Sequence, residues 1–526
     1  MTLTGDLLIG GGRVPATAGT MKAFNPATGE FIEPEFAFGG PAEVDRALRL
    51  ADEAYDSYSR TGLEERALFL ELIADKLEAV KDELAARTSL ETGLPAAQFE
   101  GEAVRTAGVF RKFAAVVRQG RFLQAAIDPA QPDRQPTPRM DHRLQKVALG
   151  PVAIFGASNF PISYSVAGGD TASALAAGCP VVLKAHNAHP GASEIEGRII
   201  QEAVAESGLH PGVFALVRGP GNEIGEALVD HPLVKAVTFT GSEAGGMALY
   251  RRAQQRPDPI PVFTEMTSVN PTFVLPAALA ARGAEIGTGL VQRGMYNVGQ
   301  ACLKPAVLLA VEGPGYAELR EAAVTEVAKW DARPMLTPGI HDAYTRNAQR
   351  HQDNGAVRLG EGTAREGGAY GQALLLEVTG EQLLAEPTLR EEVFGPTLLL
   401  VKLSSSEQLL EAARAFRGQL SATLHADADA ADRTTAEALL PVLERRTGRI
   451  VFNAFSIPQE VSYATTHGGP FPATSDSRFT SVGMGAIERF IRPVTYQNFP
   501  DELLPQALRE GNPLGLWRLV DGELTR

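Results

Sequence analysis

A chain of 526 residues is too long for one hydrophobic core, and about two to four domains are expected. Its 44% apolar and 21% charged composition is that of an ordinary globular protein and excludes a wholly disordered chain, a collagen or a coiled-coil rod. With 49 basic against 63 acidic residues the net charge is −14, no long basic run interrupts it, and nucleic acid and anionic membrane surfaces are excluded as partners.

The opening segment, MTLTGDLLIGGGRVPA, has no basic stretch ahead of an apolar core and does not read as a secretory leader. No run approaches the ~18 apolar residues of a membrane span. The first 145 or so residues read as mostly helical. Between positions 64 and 90, Phe69, Ile73, Leu77, Val80 and Leu84 recur in steps of three and four, which predicts one helix, stopped by Gly93 and Pro95. A second helix is predicted over 102–117. Residues 128–143 carry four prolines and predict an extended arm.

From Val147 onward the period changes. Short β-branched runs at 152–155, 181–185, 213–217, 236–239 and 262–265 alternate with helical patterns at 161–177, 192–206, 223–230 and 243–254. That alternation predicts a doubly wound parallel sheet, with ligands at the carboxyl ends of its strands. A second α/β set follows Asn270, with strands at 306–311, 398–403, 420–425 and 449–453 and helices at 406–416 and 428–443. Beyond Gly485 a basic helical turn, AIERFIRP, leads to a C-terminal tail.

The strand ends carry the chemistry. FGASNFP (155–161) is a small-residue turn, Lys184 ends its strand, and GPGNEIG (219–225) and FTGSEAGG (239–246) put glycine where backbone can approach phosphate, although neither has GxGxxG spacing. Glu265 ends the fifth strand. Cys302, in NVGQAC, reads alone as either a packing residue or a nucleophile. Cys179 leads into a buried strand and reads as packing. Two cysteines make no disulfide framework, and no Cys/His cluster has zinc-ligand spacing, so a reducing cytoplasm and no metal are expected.

Taken together, GASNFP, VVLKAHN, FTGSEAGG, FTEMTSVNP, NVGQAC and EVFGP (392–396) resemble, in order, the motifs of the aldehyde dehydrogenase superfamily. The glutamate motif departs from the usual Glu-Leu-Gly-Gly-Lys. The resemblance implies an α/β fold of two doubly wound sheets with a small β oligomerisation arm. Its dinucleotide-binding domain would take residues 1–127 and 147–267, and its catalytic domain 268–484. Residues 128–146 and 485–526 would form the arm and tail of a homodimer or homotetramer. It implies Cys302 as nucleophile, Asn159 as oxyanion donor and Glu265 as general base. A cysteine hydrolase is disfavoured, because no motif supplies an activating histidine and the dinucleotide turns would go unexplained. A catalytically inactive binding protein on the same fold is the reading from another class.

The resemblance also implies a cofactor site of Phe155, Ser158, Lys184, Asn187, Arg218, Gly221, Gly225, Gly241, Ser242, Glu392 and Phe394. Asn187 stands where NAD-specific relatives carry glutamate. With Lys184 and Arg218 supplying positive charge, this favours NADP, with NAD also usable. The ending HGGPFPATSDSRFTSVG with AIERFIRPVTYQNFP is similar to the α-ketoglutaric semialdehyde (2,5-dioxovalerate) dehydrogenase branch, and secondarily to long-chain fatty aldehyde dehydrogenases. A substrate site of Arg105, Tyr164, Ala167, Arg293 and Phe455 is implied, with Arg105 holding a far carboxylate and Arg293 as a second cation. His186, His189 and His467 stay unassigned, and a structural role is expected at 467.

Overall fold

The computed structural model describes residues 2–427 and 431–526. Its first sheet has seven strands in the order Val262–Glu265, Ala236–Thr240, Val152–Phe155, Val181–Lys184, Phe214–Val217, Leu7–Ile9, Gly12–Val14. The first five are parallel and are the five expected from the alternation, to within a residue at each end. These strands are apolar almost throughout because helices cover both faces of the sheet.

The N-terminal region is helical over Pro41–Tyr58 and from Leu63 to Gln119, but the residues on either side of it form strands. Leu7–Ile9 pairs antiparallel with Phe214–Val217 through Leu8 and Leu216, and Thr20–Asn25 forms a hairpin with Glu30–Ala37. A three-residue strand whose partner lies some two hundred positions away has no local period to betray it.

The helix expected over 64–90 is two, Leu63–Ala79 and Lys81–Thr92, broken where Val80 leaves helical geometry at φ −103° and ψ 6°. The next helix is longer than its prediction, Ala96–Gln119. The one expected over 161–177 begins only at Gly169. The buried Glu102 carboxylate accepts the N–H groups of Ile162 (3.1 Å) and Ser163 (2.8 Å), so residues 161–168 form a held turn instead. Glu91 similarly accepts from Gly191 and Ala192 at the start of helix Pro190–Glu206, where a carboxylate meets unpaired amides and the positive helix end.

The second sheet runs Val357–Glu361, Leu374–Thr379, Thr397–Leu403, Val307–Val311, Thr272–Val274, Gln419–His425, Thr447–Phe452, parallel except for the first strand. The helix expected over 428–443 is Arg433–Glu444, and its first expected residues, 428–430, lie outside the described ones. A third sheet joins Ile491–Gln497, His142–Ala148, Ala126–Asp128, Arg518–Val520 and Glu523–Thr525, so the proline-rich arm is a loop between paired strands. The basic turn is a 3₁₀ helix, Met484–Phe490. Among the described residues no helix is long and apolar enough to cross a membrane.

Candidate active site

Parallel register aligns the strand ends of the first sheet. Phe155 lies opposite Lys184 on one side and Phe239 on the other, Lys184 lies opposite Val217, and Thr240 lies opposite Glu265. The turns that follow therefore open on one edge. Ser242 caps helix Glu243–Gln254 by accepting from the N–H of Gly245 at 3.2 Å. Gly241 is required because a Cβ there would lie 2.7 Å from the Phe239 ring.

A cavity of about 730 Å³ lies between this edge and the second sheet, lined among others by Ser158, Asn159, Gly241, Ser242, Glu265, Cys302, Glu392 and Phe394. The segment that closes it comes back from the second half of the chain. Thr474 bridges Glu265, and Met266 N–H donates to Ala473 O at 2.9 Å. This return brings His467 and Ser481 to the Glu265 carboxylate.

Glu265 Oε1 lies 2.9 Å from His467 Nε2, off the axis of the ring N–H, and Oε2 accepts from Ser481 Oγ at 2.9 Å. Ligand-type atoms of Glu265, Cys302 and His467 all fall within 4.8 Å of one another. Burial alone would raise the Glu265 carboxyl. Attraction to the adjacent His467 ring and the hydrogen bond from Ser481 outweigh it and hold the group below its ordinary range. The Cys302 thiol goes the other way, pushed well up by burial and then by the Glu265 charge. At rest the pair is a carboxylate and a thiol.

The nucleophile turn is strained. Asn297 and Val298 both sit in the left-handed region at φ 54° and 57°, a conformation that costs a non-glycine residue about 1–3 kcal/mol. Asn297 Nδ2 donates to the Asn159 and Gln300 carbonyls (3.0 and 3.1 Å), and Asn159 Nδ2 donates to Gln300 O at 3.1 Å. The Asn159 turn and the cysteine turn are thus tied, with one of the two Asn159 amide hydrogens used in the tie. Asn270 Nδ2 donates to Cys302 O at 2.8 Å and Lys304 O at 2.9 Å.

The departed glutamate motif has its own structural use. Thr267 Oγ1 donates to Glu392 Oε2 at 2.8 Å, and Ser268 Oγ bonds Asn270 Oδ1, Gln419 Oε1 and the N–H of Leu420. Hydroxyls standing in for the usual glycines tie the end of the first sheet to the second.

The expected cofactor residues divide. Lys184 ends its strand with Nζ donating to Ala185 O at 3.4 Å, its ammonium pulled down to about 8 by burial and then by the Arg218 charge. Asn187 Oδ1 is buried without a hydrogen-bond partner, a vacant acceptor of the kind a ribose hydroxyl would fill. Gly221 opens helix Gly221–Asp230 where a Cβ would meet nothing within 4 Å, whereas Gly225 faces the Phe155 ring at 3.3 Å. These groups suit a dinucleotide. Arg218 does not belong with them: it is fully buried, donates to Gly5 O and Pro190 O, and stacks 4.9 Å above the Phe36 ring. Its charge is spent on Glu194 and Glu91 and is not offered to a 2′-phosphate.

The expected substrate residues divide too. Arg105 and Tyr164 line a narrow crevice with Thr106, Phe113, Ser163 and Ser481. Arg105 is exposed, donates to Ser163 Oγ at 2.9 Å and lies over Phe160. Ala167 is instead fully buried in the core, Phe455 packs on Gly289 and His425, and Arg293 is exposed on helix Pro276–Gly294; none of the three lines the cavity or the crevice. Tyr296, electrostatically coupled to Arg105, was not singled out from the sequence. Nor were Ser481 and Lys304. From the sequence His467 is unassigned with a structural role expected, and the local motif THGGP carries no sign of its partner 202 positions earlier.

The aldehyde dehydrogenase family model matches residues 14–470. The chain belongs to the aldehyde dehydrogenase family. It is 52% identical over 525 residues to α-ketoglutaric semialdehyde dehydrogenase 2 of Azospirillum brasilense, covering 99% of this chain and 100% of that one. It is 42% identical to an α-ketoglutaric semialdehyde dehydrogenase of Acinetobacter baylyi, covering 99% of each. Among solved structures, PnpE from Pseudomonas sp. WBC-3 superposes with TM-score 0.80 at 24% identity, over 96% of this chain and 99% of that one. An aldehyde dehydrogenase C mutant from Pseudomonas syringae, crystallised with NAD+ and octanal, gives TM-score 0.79 at 24% identity, over 94% and 97%. The two structures share the fold.

Proposed function

We propose that this aldehyde dehydrogenase oxidises α-ketoglutaric semialdehyde to 2-oxoglutarate through a thioester on Cys302. The observation that carries the chemistry is the meeting of Cys302, Glu265 and Asn159 in one cavity that Glu392 and Phe394 also line, with His467 against the Glu265 carboxylate. The substrate rests on the names of the two relatives, at 52% and 42% identity over nearly whole chains.

Glu265, ionised between His467 and Ser481, draws the proton from Cys302 Sγ, and the sulfur adds to the aldehyde carbon. The carbonyl oxygen becomes an alkoxide faced by Asn159 Nδ2 and the backbone N–H of Cys302. When bound, NAD(P)+ accepts the hydride that leaves the thiohemiacetal carbon. Glu265 passes the thiol proton to solvent and then takes a proton from water, whose oxygen adds to the thioester carbon. The C–S bond breaks, the acid leaves, and the Cys302 sulfur takes that proton back from Glu265.

Lys184, Asn187, Gly221, Gly225, Gly241 and Ser242 would hold the adenosine and phosphates, with Phe155 and Ser158 beside them. Glu392 and Phe394 would hold the nicotinamide ribose. NADP+ is the preferred form and NAD+ a usable one, because uncharged Asn187 does not repel a 2′-phosphate and Lys184 attracts it. Arg105 binds the far carboxylate of the semialdehyde; its Ser163 bond leaves other guanidinium N–H groups for that contact. The exposed Phe499, Leu503, Trp517, Leu519 and Leu524 on and beside the third sheet support that sheet as the contact surface of a homodimer or homotetramer. The two free cysteines suit a reducing cytoplasm.

Initial rates of nicotinamide reduction, crossing α-ketoglutaric semialdehyde and a long-chain aldehyde with NADP+ and NAD+, test the reading against a Cys302→Ala blank. The highest kcat/KM is expected for the semialdehyde with NADP+. A fatty aldehyde ahead by an order of magnitude would transfer the reading to that substrate, and an unchanged semialdehyde KM in Arg105→Ala would remove the arginine from it.

A further inference from the structure

Two residues beyond the nucleophile stands a lysine that the proposed chemistry does not use. The Lys304 side chain is 1% exposed, and its Nζ donates to the carbonyls of Val393, Gly395 and Thr397 at 2.5, 2.7 and 3.4 Å. An ammonium has three hydrogens to give, and here three carbonyls take them. Burying an ammonium is costly in water-free surroundings, so a lysine at this place needs a reason.

The three carbonyls alternate along the turn that carries Phe394 and begins just after Glu392. Lys304 itself is anchored, since its backbone carbonyl and that of Cys302 accept from the same Asn270 amide. A second contact joins the same two segments: a Cβ on Gly299 would fall 2.1 Å from Gly395 O, so the nucleophile turn and the 393–397 turn touch backbone to backbone. Thr267, holding Glu392 Oε2, fixes the near end of the turn.

From this geometry we infer that Lys304 is a positioning residue which sets the distance between the Cys302 sulfur and the wall formed by Glu392 and Phe394. It acts on the step that joins substrate to dinucleotide and not on the reactivity of the thiol. The inference rests on the dehydrogenase reading above, in which Glu392 and Phe394 face the nicotinamide ribose.

The test separates the two halves of the site. Hydrolysis of 4-nitrophenyl acetate requires Cys302, Asn159 and Glu265, with attack on the ester carbon, loss of 4-nitrophenolate and hydrolysis of the acetyl thioester, and it requires no dinucleotide. Lys304→Met keeps the apolar stem and removes the three donors. Expected in Lys304→Met is a fall of about 100-fold in dehydrogenase kcat/KM for the dinucleotide, the loss typical of an ångström-scale misplacement. Weaker NADP+ binding by calorimetry should accompany it, with ester hydrolysis within about threefold of the wild type. Parallel loss of both activities, or dehydrogenase activity and NADP+ affinity within about twofold of the wild type, would overturn the inference. Should the methionine variant not fold, Lys304→Gln, which keeps two donors, is measured the same way and must show the same split in smaller degree. A wild type that hydrolyses the ester but reduces neither NAD+ nor NADP+ with any aldehyde would instead defeat the dehydrogenase reading itself.

Discussion

His467 Nε2 lies 2.9 Å from Glu265 Oε1, and the two side chains are 2% and 6% exposed. The contact lowers the glutamate carboxyl, so the base form survives to more acidic pH than burial alone would allow. In His467→Gln that support is lost and the carboxyl rises. Because activity needs ionised Glu265, the acid limb of the kcat profile moves to higher pH, while the limit at high pH changes less. Rates measured from about pH 5 to 9 check this; an unmoved acid limb would separate His467 from the base.

Asn159→Ala removes the side-chain donor aimed at the alkoxide and also the tie to Gln300 O. The expected loss in kcat is ~10²–10³ with a smaller change in KM, since the donor matters most where charge develops. Steady-state kinetics on the semialdehyde read it, and an equal rise in KM without loss of kcat would move Asn159 to ground-state binding.

Asn187→Glu puts an anion where the half-buried Asn187 amide leaves its Oδ1 without a partner. The carboxylate would accept ribose hydroxyls and repel a 2′-phosphate, so the ratio of kcat/KM for NAD+ over NADP+ should rise about tenfold or more. An unchanged ratio would locate the 2′-position elsewhere.

Arg218→Met tests the reassignment of that arginine to the fold. It should lower stability by about 3 kcal/mol, because Glu194 and Glu91 lose a buried countercharge, and leave the NADP+/NAD+ preference within about twofold. Calorimetric Tm and paired kinetics together decide. A shifted preference in a protein of unchanged Tm would return Arg218 to the cofactor.

Local pattern revealed what local physics determines. Val152–Phe155 and Val262–Glu265 were legible to the residue, because a strand buried on both faces must be a short apolar run and a turn must follow it. Cys302, Glu265 and Asn159 were legible only as a set of motifs, and the cavity that gathers them depends on the crossing of two sheets. What stayed hidden depends on distant partners. Arg218 looks like any cation at a strand end until Gly5 and Pro190 close over it, and Ala167 and Phe455 look like cavity walls until packing turns them away from the cavity. The turn at 161–168 reads as helix in the sequence because Glu102, which satisfies the amides of Ile162 and Ser163, sits sixty positions earlier.

The return of residues 467–481 to the end of the first sheet means that the reactive centre has no existence in either half of the chain alone. Glu265 is supplied by one sheet and its two polar neighbours by a strap that has already passed through the other. Catalysis is therefore a reporter of docking: a perturbation that parts the halves by a fraction of an ångström silences turnover while every helix and strand still stands, and loss of activity should precede loss of secondary structure on heating.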